Sequence, residues 1–276
     1  MKNNDIEKTN IEKSKIFPQL VFPLEKHKNK IIEFIRNKIN ESNASGAIIG
    51  LSGGIDSTLV AHLTVEALGK DSVIGIHLPD SNLVRNEDKL DAEKQAKSLG
   101  IEFKTIDISE ILNSFMDVIP DGNQSDNRTK GNLKARIRMA ILYFYANSFN
   151  KMVIGTGNRT EILLGYYTKY GDGGVDILPI GNLYKTEVRA LSRYLGISEE
   201  IISKAPSAGL WEGQTDEEEL GLSYELIDQM LIAYENNENL TIIQKNKEIS
   251  DVKFNNILSR IPLNLHKRKT PPNPIA

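Results

Sequence analysis

Ala47-Ile48-Ile49-Gly50-Leu51-Ser52-Gly53-Gly54-Ile55-Asp56-Ser57 is the stretch on which the reading of the fold turns. Ala47 to Leu51 is too short for a helix, and a short apolar run that ends in glycine reads as a buried strand. Asp56 and Ser57 are helix-capping residue types, and a helical stretch follows to about Leu68, closed by Gly69. Strand, glycine turn and helix in succession make an anion site. Glycine lets the backbone turn tightly and lets a ligand approach without a Cβ in the way. Ser52 and Ser57 add hydroxyls, and the helix offers unpaired N–H groups at the positive end of its dipole. Asp56 conflicts with a phosphate unless a divalent cation stands between them. Mg²⁺ takes carboxylate and phosphate oxygens together. Taken alone, the turn has an equal claim to be an ordinary strand–turn–helix with an Asp cap. It is neither a Walker A loop nor a GxGxxG fingerprint.

Working outward, strands and helices alternate. Lys26 to Asn40 carries Ile31, Ile32, Phe34, Ile35 and Ile39 near helical spacing. Strands are expected at Ser72–Leu78, Glu102–Ile108 and Lys151–Gly155, and helices at Glu87–Leu99, Ser109–Val118, Asn132–Phe149 and Asn158–Leu164. The alternation implies an α/β fold, a doubly wound, mostly parallel sheet with helices on both faces. Past Gly165 the strands stop. Helices are expected at Leu183–Leu195, Ser223–Tyr234 and Val252–Ile261, so the C-terminal third is helical. Gly122–Gly131 and Lys204–Thr215 read as loops. Residues 1–25 read as a polar N-terminal arm, and 26–276 as one domain. On the helix from Asn132, the expected buried stripe is Leu133, Ile137, Ala140, Ile141 and Phe144, with Arg136 at its edge and Arg138 farther out.

The chain has 276 residues, 39% hydrophobic and 26% charged, with a net charge of −3 and no cysteine. It is long enough to bury a core without staples. The absence of cysteine excludes disulfides, thiolate metal sites and a cysteine nucleophile. The slight acidic balance argues against a nucleic-acid partner. Met1 to Asp5 lead into a charged stretch with no apolar leader, and the longest apolar run, Met139 to Ala146, is far short of the ~20 residues a bilayer needs. A cytoplasmic protein with no membrane partner is expected.

Further motifs follow the fourth strand: Gly155-Thr156-Gly157-Asn158-Arg159-Thr160-Glu161, then Gly165-Tyr166-Tyr167-Thr168-Lys169-Tyr170-Gly171-Asp172-Gly173-Gly174-Val175-Asp176, then Pro179 to Glu187. Asn132 to Met139, Lys204 to Leu210 and His266-Lys267-Arg268 complete the set. Ser52 to Ser57 resembles the SGGxDS pyrophosphate loop of the ATP pyrophosphatase (PP-loop) superfamily. That loop alone leaves asparagine, GMP and argininosuccinate synthetases and tRNA-thiolating enzymes open. The ordered motifs from about residue 30 to the end resemble ammonia-dependent NAD synthetases.

This resemblance implies an adenine nucleotide alpha-hydrolase-like fold and an amide ligase. Its reaction is the ATP-dependent amidation of deamido-NAD by ammonia to NAD, AMP and pyrophosphate, through an acyl adenylate. Carried over by motif, Gly50, Leu51, Ser52, Gly53, Gly54, Ile55, Asp56 and Ser57 cradle ATP, together with Thr156, Lys185 and Ser207. Asp56 and Glu161 hold Mg²⁺, and with Lys185 they form the catalytic set. Arg136, Lys169, Asp176, His266 and Lys267 bind deamido-NAD. Relatives often carry Gln at the Ile55 position and Thr at the Ser207 position. The family is homodimeric. Glutamine-using relatives carry a further domain with a catalytic cysteine, so free ammonia is the expected nitrogen source. Another PP-loop ligase acting on a different carboxylate, and a nucleotide-sensing binding protein, are the competing readings. Two polar segments, Asp80–Arg85 and Trp211–Gln214, are expected to order only over bound ATP.

Overall fold

The computed structural model describes residues 24–83, 86–211 and 213–274. The N-terminal arm up to residue 23 lies outside the described residues, as do Val84, Arg85 and Glu212 of the two polar segments. Four short strands, β1 (Ala47–Gly50), β2 (Val73–His77), β3 (Glu102–Thr105) and β4 (Met152–Ile154), form one parallel sheet in the order β3-β2-β1-β4. Ala47 pairs with Val73 on one side and with Met152 on the other. Ile74 pairs with Glu102. Past Gly165, among the described residues, one strand-like contact remains, a parallel bridge between Ile154 and Ile177.

Strand side chains alternate between faces. Ile49 packs with α1 (Leu24–Glu41), α2 (Ile55–Leu68) and α7 (Lys185–Tyr194). Its neighbour Ile48 joins Ile74, Ile76 and Val153 against α4 (Ser109–Val118) and α5 (Asn127–Ser148). The remaining helix of this layer, α3 (Asn86–Leu99), contributes Ala92 and Ala96 to the first cluster. The doubly wound architecture is therefore as expected. A third cluster gathers Leu163 and Leu164 of α6 (Arg159–Leu164), Leu220 of α9 (Asp216–Leu220), Tyr224 and Ile227 of α10 (Tyr224–Glu235), and Phe254 and Ile257 of α12 (Asp251–Leu263). This is the helical C-terminal third.

Several local expectations need correction. The strands are shorter than expected: β3 ends at Thr105, not Ile108. Helix α5 begins at Asn127, inside the expected loop, because the Asp126 side chain accepts the Thr129 N–H at 2.7 Å and caps it. Its buried residues are Gly131, Lys134, Ala135, Ile137 and Ala146. Ala140 is exposed and Phe144 is 66% exposed, so the stripe read from Asn132 onward was rotated. Arg138 is the inward arginine, its Nε donating to the Leu78 carbonyl at 3.0 Å, while Arg136 is exposed. Short helices α8 (Glu199–Ile202), α9 and α11 (Leu240–Asn246) were not anticipated. The run Asp216-Glu217-Glu218-Glu219 has no apolar periodicity, yet acidic residues suit the first turn of a helix.

Candidate active site

In a sheet ordered β3-β2-β1-β4, the connections leave β1 toward one edge and return to its other side at β4. The crevice outside the carboxyl ends of β1 and β4 is the switch point where such folds bind ligands. Two loops meet there, Gly50–Ser57 after β1 and Gly155–Glu161 after β4.

The first loop is held tightly. The Leu51 N–H donates to the Ile76 carbonyl at 2.9 Å, and His77 Nδ1 lies 2.7 Å from the Leu51 carbonyl, to which it donates. Burial lowers the His77 pKa, which favours the neutral ring, with the Leu51 carbonyl opposing. Gly53 has φ +79°, and a Cβ there would stand 2.5 Å from the Asp88 carbonyl oxygen. Both facts demand glycine. The Gly54 N–H bonds Ser52 Oγ at 3.2 Å, and the Ser52 and Ser57 hydroxyls lie 3.0 Å apart. Helix α2 has Gly54 as its N-cap, with no side-chain cap, which leaves first-turn N–H groups for an anion.

The second loop delivers a carboxylate to the first. Asn158 caps α6 in a reciprocal box. Its Oδ1 accepts the Glu161 N–H at 3.0 Å, and its own N–H donates to Glu161 Oε2 at 3.1 Å. Its amide then donates to Asp56 Oδ1 at 3.0 Å, tying the two loops together. Lys185, the first residue of α7, is 2% exposed. Its Nζ lies 2.5 Å from Asp56 Oδ2, 3.5 Å from Glu161 Oε1, and 5.2 Å from the centre of the Tyr224 ring. Burial alone would lower the Lys185 pKa, but the two carboxylates outweigh it and hold the group above its ordinary value as a cation. Glu161 is pushed up to about 8, first by burial and then by the Asp56 charge, with Lys185 opposing. Beside them, buried Asp216 accepts the Tyr224 hydroxyl at 2.9 Å and the Tyr166 hydroxyl at 3.2 Å.

One cavity of about 1340 Å³ opens over this set. Gly50, Leu51, Ser52, Gly54, Ile55, Asp56, Ser57, Thr156, Glu161, Lys185 and Ser207 line it at one end. Arg136, Lys169, His266 and Lys267 line it farther along. Gly53 shapes the turn from behind and does not line the cavity. Asp176 does not line it either: its carboxylate accepts the Val153 N–H at 2.8 Å and the Tyr143 hydroxyl at 2.9 Å. The far end is braced by the C-terminal segment. Lys169 Nζ donates to the His266 carbonyl at 3.0 Å, and Lys267 Nζ donates to the Gly165 and Tyr167 carbonyls at 2.6 and 2.7 Å. Arg268 donates to the carbonyls of Ile162, Leu163 and Ile261, closing the ends of α6 and α12 together.

Three contributors escape a reading of the sequence. Asn158 carries a legible signal, the Asn-x-x-Glu capping box. Lys134 and Asp80 carry none. They form a buried ion pair at 2.7 Å, and Lys134 also donates to the Leu210 carbonyl at 2.9 Å. Asp80 and Gln214 are each 5% exposed, and Gln214 Oε1 accepts the Leu210 N–H at 2.9 Å. Each of the two polar segments thus contains a buried residue, and Asp80 is tied directly to α5.

A family model described as NAD synthase matches residues 27–271. The chain belongs to the NAD synthase family. An NH(3)-dependent NAD(+) synthetase from Methanosarcina acetivorans is 57% identical over 250 residues, covering 91% of this chain and 98% of that protein. Among solved structures, an NMN synthetase from Francisella tularensis superposes with TM-score 0.80 at 36% identity, covering 92% of this chain and 99% of its own. An NH3-dependent NAD synthetase from Campylobacter jejuni, solved with a nitrate ion, gives 0.77 at 34% identity, covering 92% and 100%. The NAD synthase fold thus runs through β1 and β4, the strands that carry both loops, and continues through the helical third. Among the described residues no helix is long and apolar enough to cross a membrane.

Proposed function

We propose that the chain catalyses ATP-dependent amidation of deamido-NAD by ammonia, giving NAD, AMP and pyrophosphate through an acyl adenylate. The observation that carries this reading is the convergence of Asp56, Glu161 and Lys185 on the glycine turn at the switch point. The cavity of about 1340 Å³ exceeds the ~300–1,000 Å³ usual for one small ligand, which suits two nucleotides side by side.

The chain's own residues divide the work. Gly50 to Ser57, with Thr156 and Ser207, bind the ATP end. The free N–H groups of α2 and the Lys185 ammonium neutralise charge on the departing pyrophosphate, in a partly dehydrated site where such contacts are strong. Asp56 and Glu161 fit Mg²⁺. They are two hard oxygen donors, each 18% exposed, already gathered around one positive charge. Bound there, Mg²⁺ supplies neutralisation of the phosphates. Arg136, Lys169, His266 and Lys267 hold the dinucleotide so that its nicotinate carboxylate meets the α-phosphorus. AMP then leaves when ammonia attacks the carbonyl, and no protein nucleophile takes part. Positioning does the rest.

Asp176 finds its place in a homodimer. Its partner Tyr143 adjoins Phe144 on α5, and Phe144, Phe115 and Val118 are 66, 43 and 77% exposed. A second copy covering these exposed side chains of α4 and α5 is the proposed neighbour of Asp176, itself exposed. We read 26–276 as the single synthetase domain, with 1–25 an arm, in a cytoplasmic enzyme.

The test is pyrophosphate release with ATP, Mg²⁺, ammonium and deamido-NAD, each omitted in turn, with deamido-NMN in a parallel arm. Release dependent on all four supports the reading. Release that ignores deamido-NAD, or that favours the mononucleotide, refutes it.

A further inference from the structure

The segments that deliver Glu161 and Lys185 are joined by a residue belonging to neither. Asp228 lies on α10, in the C-terminal helical cluster, and is fully buried. One carboxylate oxygen accepts the Thr160 hydroxyl at 2.5 Å. The other accepts the Thr186 backbone N–H at 2.8 Å. Thr160 Oγ1 in turn accepts the Lys185 backbone N–H at 3.0 Å. Thr160 immediately precedes Glu161, and Thr186 immediately follows Lys185. The result is a closed ring of hydrogen bonds with one side on α6, one on α7 and one on α10.

The ring answers a structural need. The first N–H groups of a helix have no partner within it, and buried ones must find an acceptor. Helix α7 begins after Tyr184, which makes no side-chain cap bond. The N–H groups of Lys185 and Thr186 are therefore capped from outside, by Thr160 and Asp228. The placement of the first turn of α7 against the first turn of α6 is set by those borrowed acceptors. That placement fixes where the Lys185 side chain starts, and hence how its ammonium meets Asp56 and Glu161. Asp228 does not line the cavity, although its carboxylate is close enough to feel the Lys185 charge.

We infer that Asp228, acting through Thr160 and the Thr186 N–H, is a positioning residue that sets Lys185 and Glu161 for the ATP-cleaving step. The inference rests on the proposed reading of the site. A carboxylate is required because both oxygens accept. An amide would offer one acceptor and one donor, and would leave the Thr160 hydroxyl proton unpaired.

The experiment uses the full chain and three variants, D228N, T160V and T160S. Steady-state kcat and KM for ATP are measured at a temperature where circular dichroism shows each variant folded, and amide hydrogen exchange is followed at Lys185 and Thr186. The expected result is a kcat at least tenfold lower in D228N and T160V, with KM for ATP within threefold of the wild type. T160S, which keeps the hydroxyl, returns to within threefold. The Lys185 amide exchanges at least tenfold faster in T160V, while the later turns of α7 keep their protection. A kcat within threefold of the wild type in the folded variants overturns the inference, even if their melting temperature falls. Should D228N fail to fold, the T160V and T160S pair decides alone. A wild-type chain that makes no NAD defeats the functional reading instead, and the exchange at Lys185 then judges the ring by itself.

Discussion

Lys134→Met tests the buried clasp between α5 and the two loops. In the structure Lys134 and Asp80 pair at 2.7 Å, with side chains 7 and 2% exposed. The substitution keeps the volume of the stem and removes the charge. Among the described residues, Asp80 is left as a buried carboxylate with the Asn82 N–H at 3.2 Å as its side-chain hydrogen bond. Breaking a buried pair on one side costs about 3–5 kcal/mol, because the other charge loses its compensation. The lower end applies here, since the Arg138 guanidinium is close enough to feel the Asp80 charge and stays in place. The Leu210 carbonyl also loses its donor. Against a typical total of ~5–15 kcal/mol, a loss of about 3 kcal/mol is large. Urea unfolding at pH 7 measures it as a shift in midpoint at constant slope. Adding Asp80→Asn in the same chain removes the stranded charge and should recover more than half of the loss. A single variant that loses under about 1 kcal/mol, or a double variant no better than the single, would refute this account of the pair.

Three more outcomes are expected. Asp56→Ala should lower ATP–pyrophosphate exchange with deamido-NAD by about 10²–10³-fold or more while the circular dichroism spectrum is unchanged; exchange that survives removes Asp56 from the metal role. Glu187, buried at the start of α7, is pushed up to about 7 by burial, with the Tyr184 N–H opposing and the Asp228 charge adding to the rise. The folded chain then holds a proton that the unfolded chain releases near 4.5, so this group's contribution falls as pH rises from about 4.5 to 7. Glu187→Gln keeps an acceptor for Tyr184 and should be the more stable form at pH 8, by up to roughly 3 kcal/mol, with the advantage gone at pH 4.5; equal stability at pH 8 counts against the burial argument. Gly53→Ala should lose more than about 1 kcal/mol, because φ is +79° and a Cβ would stand 2.5 Å from the Asp88 carbonyl oxygen; a thermal midpoint unchanged from wild type would contradict it.

The sheet was legible because β1, β2 and β4 are apolar runs ended by turn residues, and because β1 is followed at once by glycines. The switch point followed from strand order, which no single run of residues reveals. What stayed hidden has two physical causes. Pairing across the chain leaves no local mark: Lys185 and Asp56 are 129 positions apart, and Thr160 and Asp228 are 68 apart. Buried charge also looks like surface. Lys134 reads as part of a basic solvated face, and Asp216-Glu217-Glu218-Glu219 reads as a solvated acidic run, yet Lys134 and Asp216 are 6 and 4% exposed. The stripe on α5 was rotated for a related reason: this helix shares its inner face between the core and the cavity wall, so polar residues point inward and Phe144 points out.

The clip made by Lys267 and Arg268 bears on the order in which the fold is completed. It grips carbonyls just beyond Glu161 that lie 102 and 106 positions earlier in the chain. During translation the glycine turn after β1 leaves the ribosome well before the segment that holds the chain just past Glu161. A nascent chain that stops short of residue 267 therefore carries the turn without these hydrogen bonds beyond Glu161.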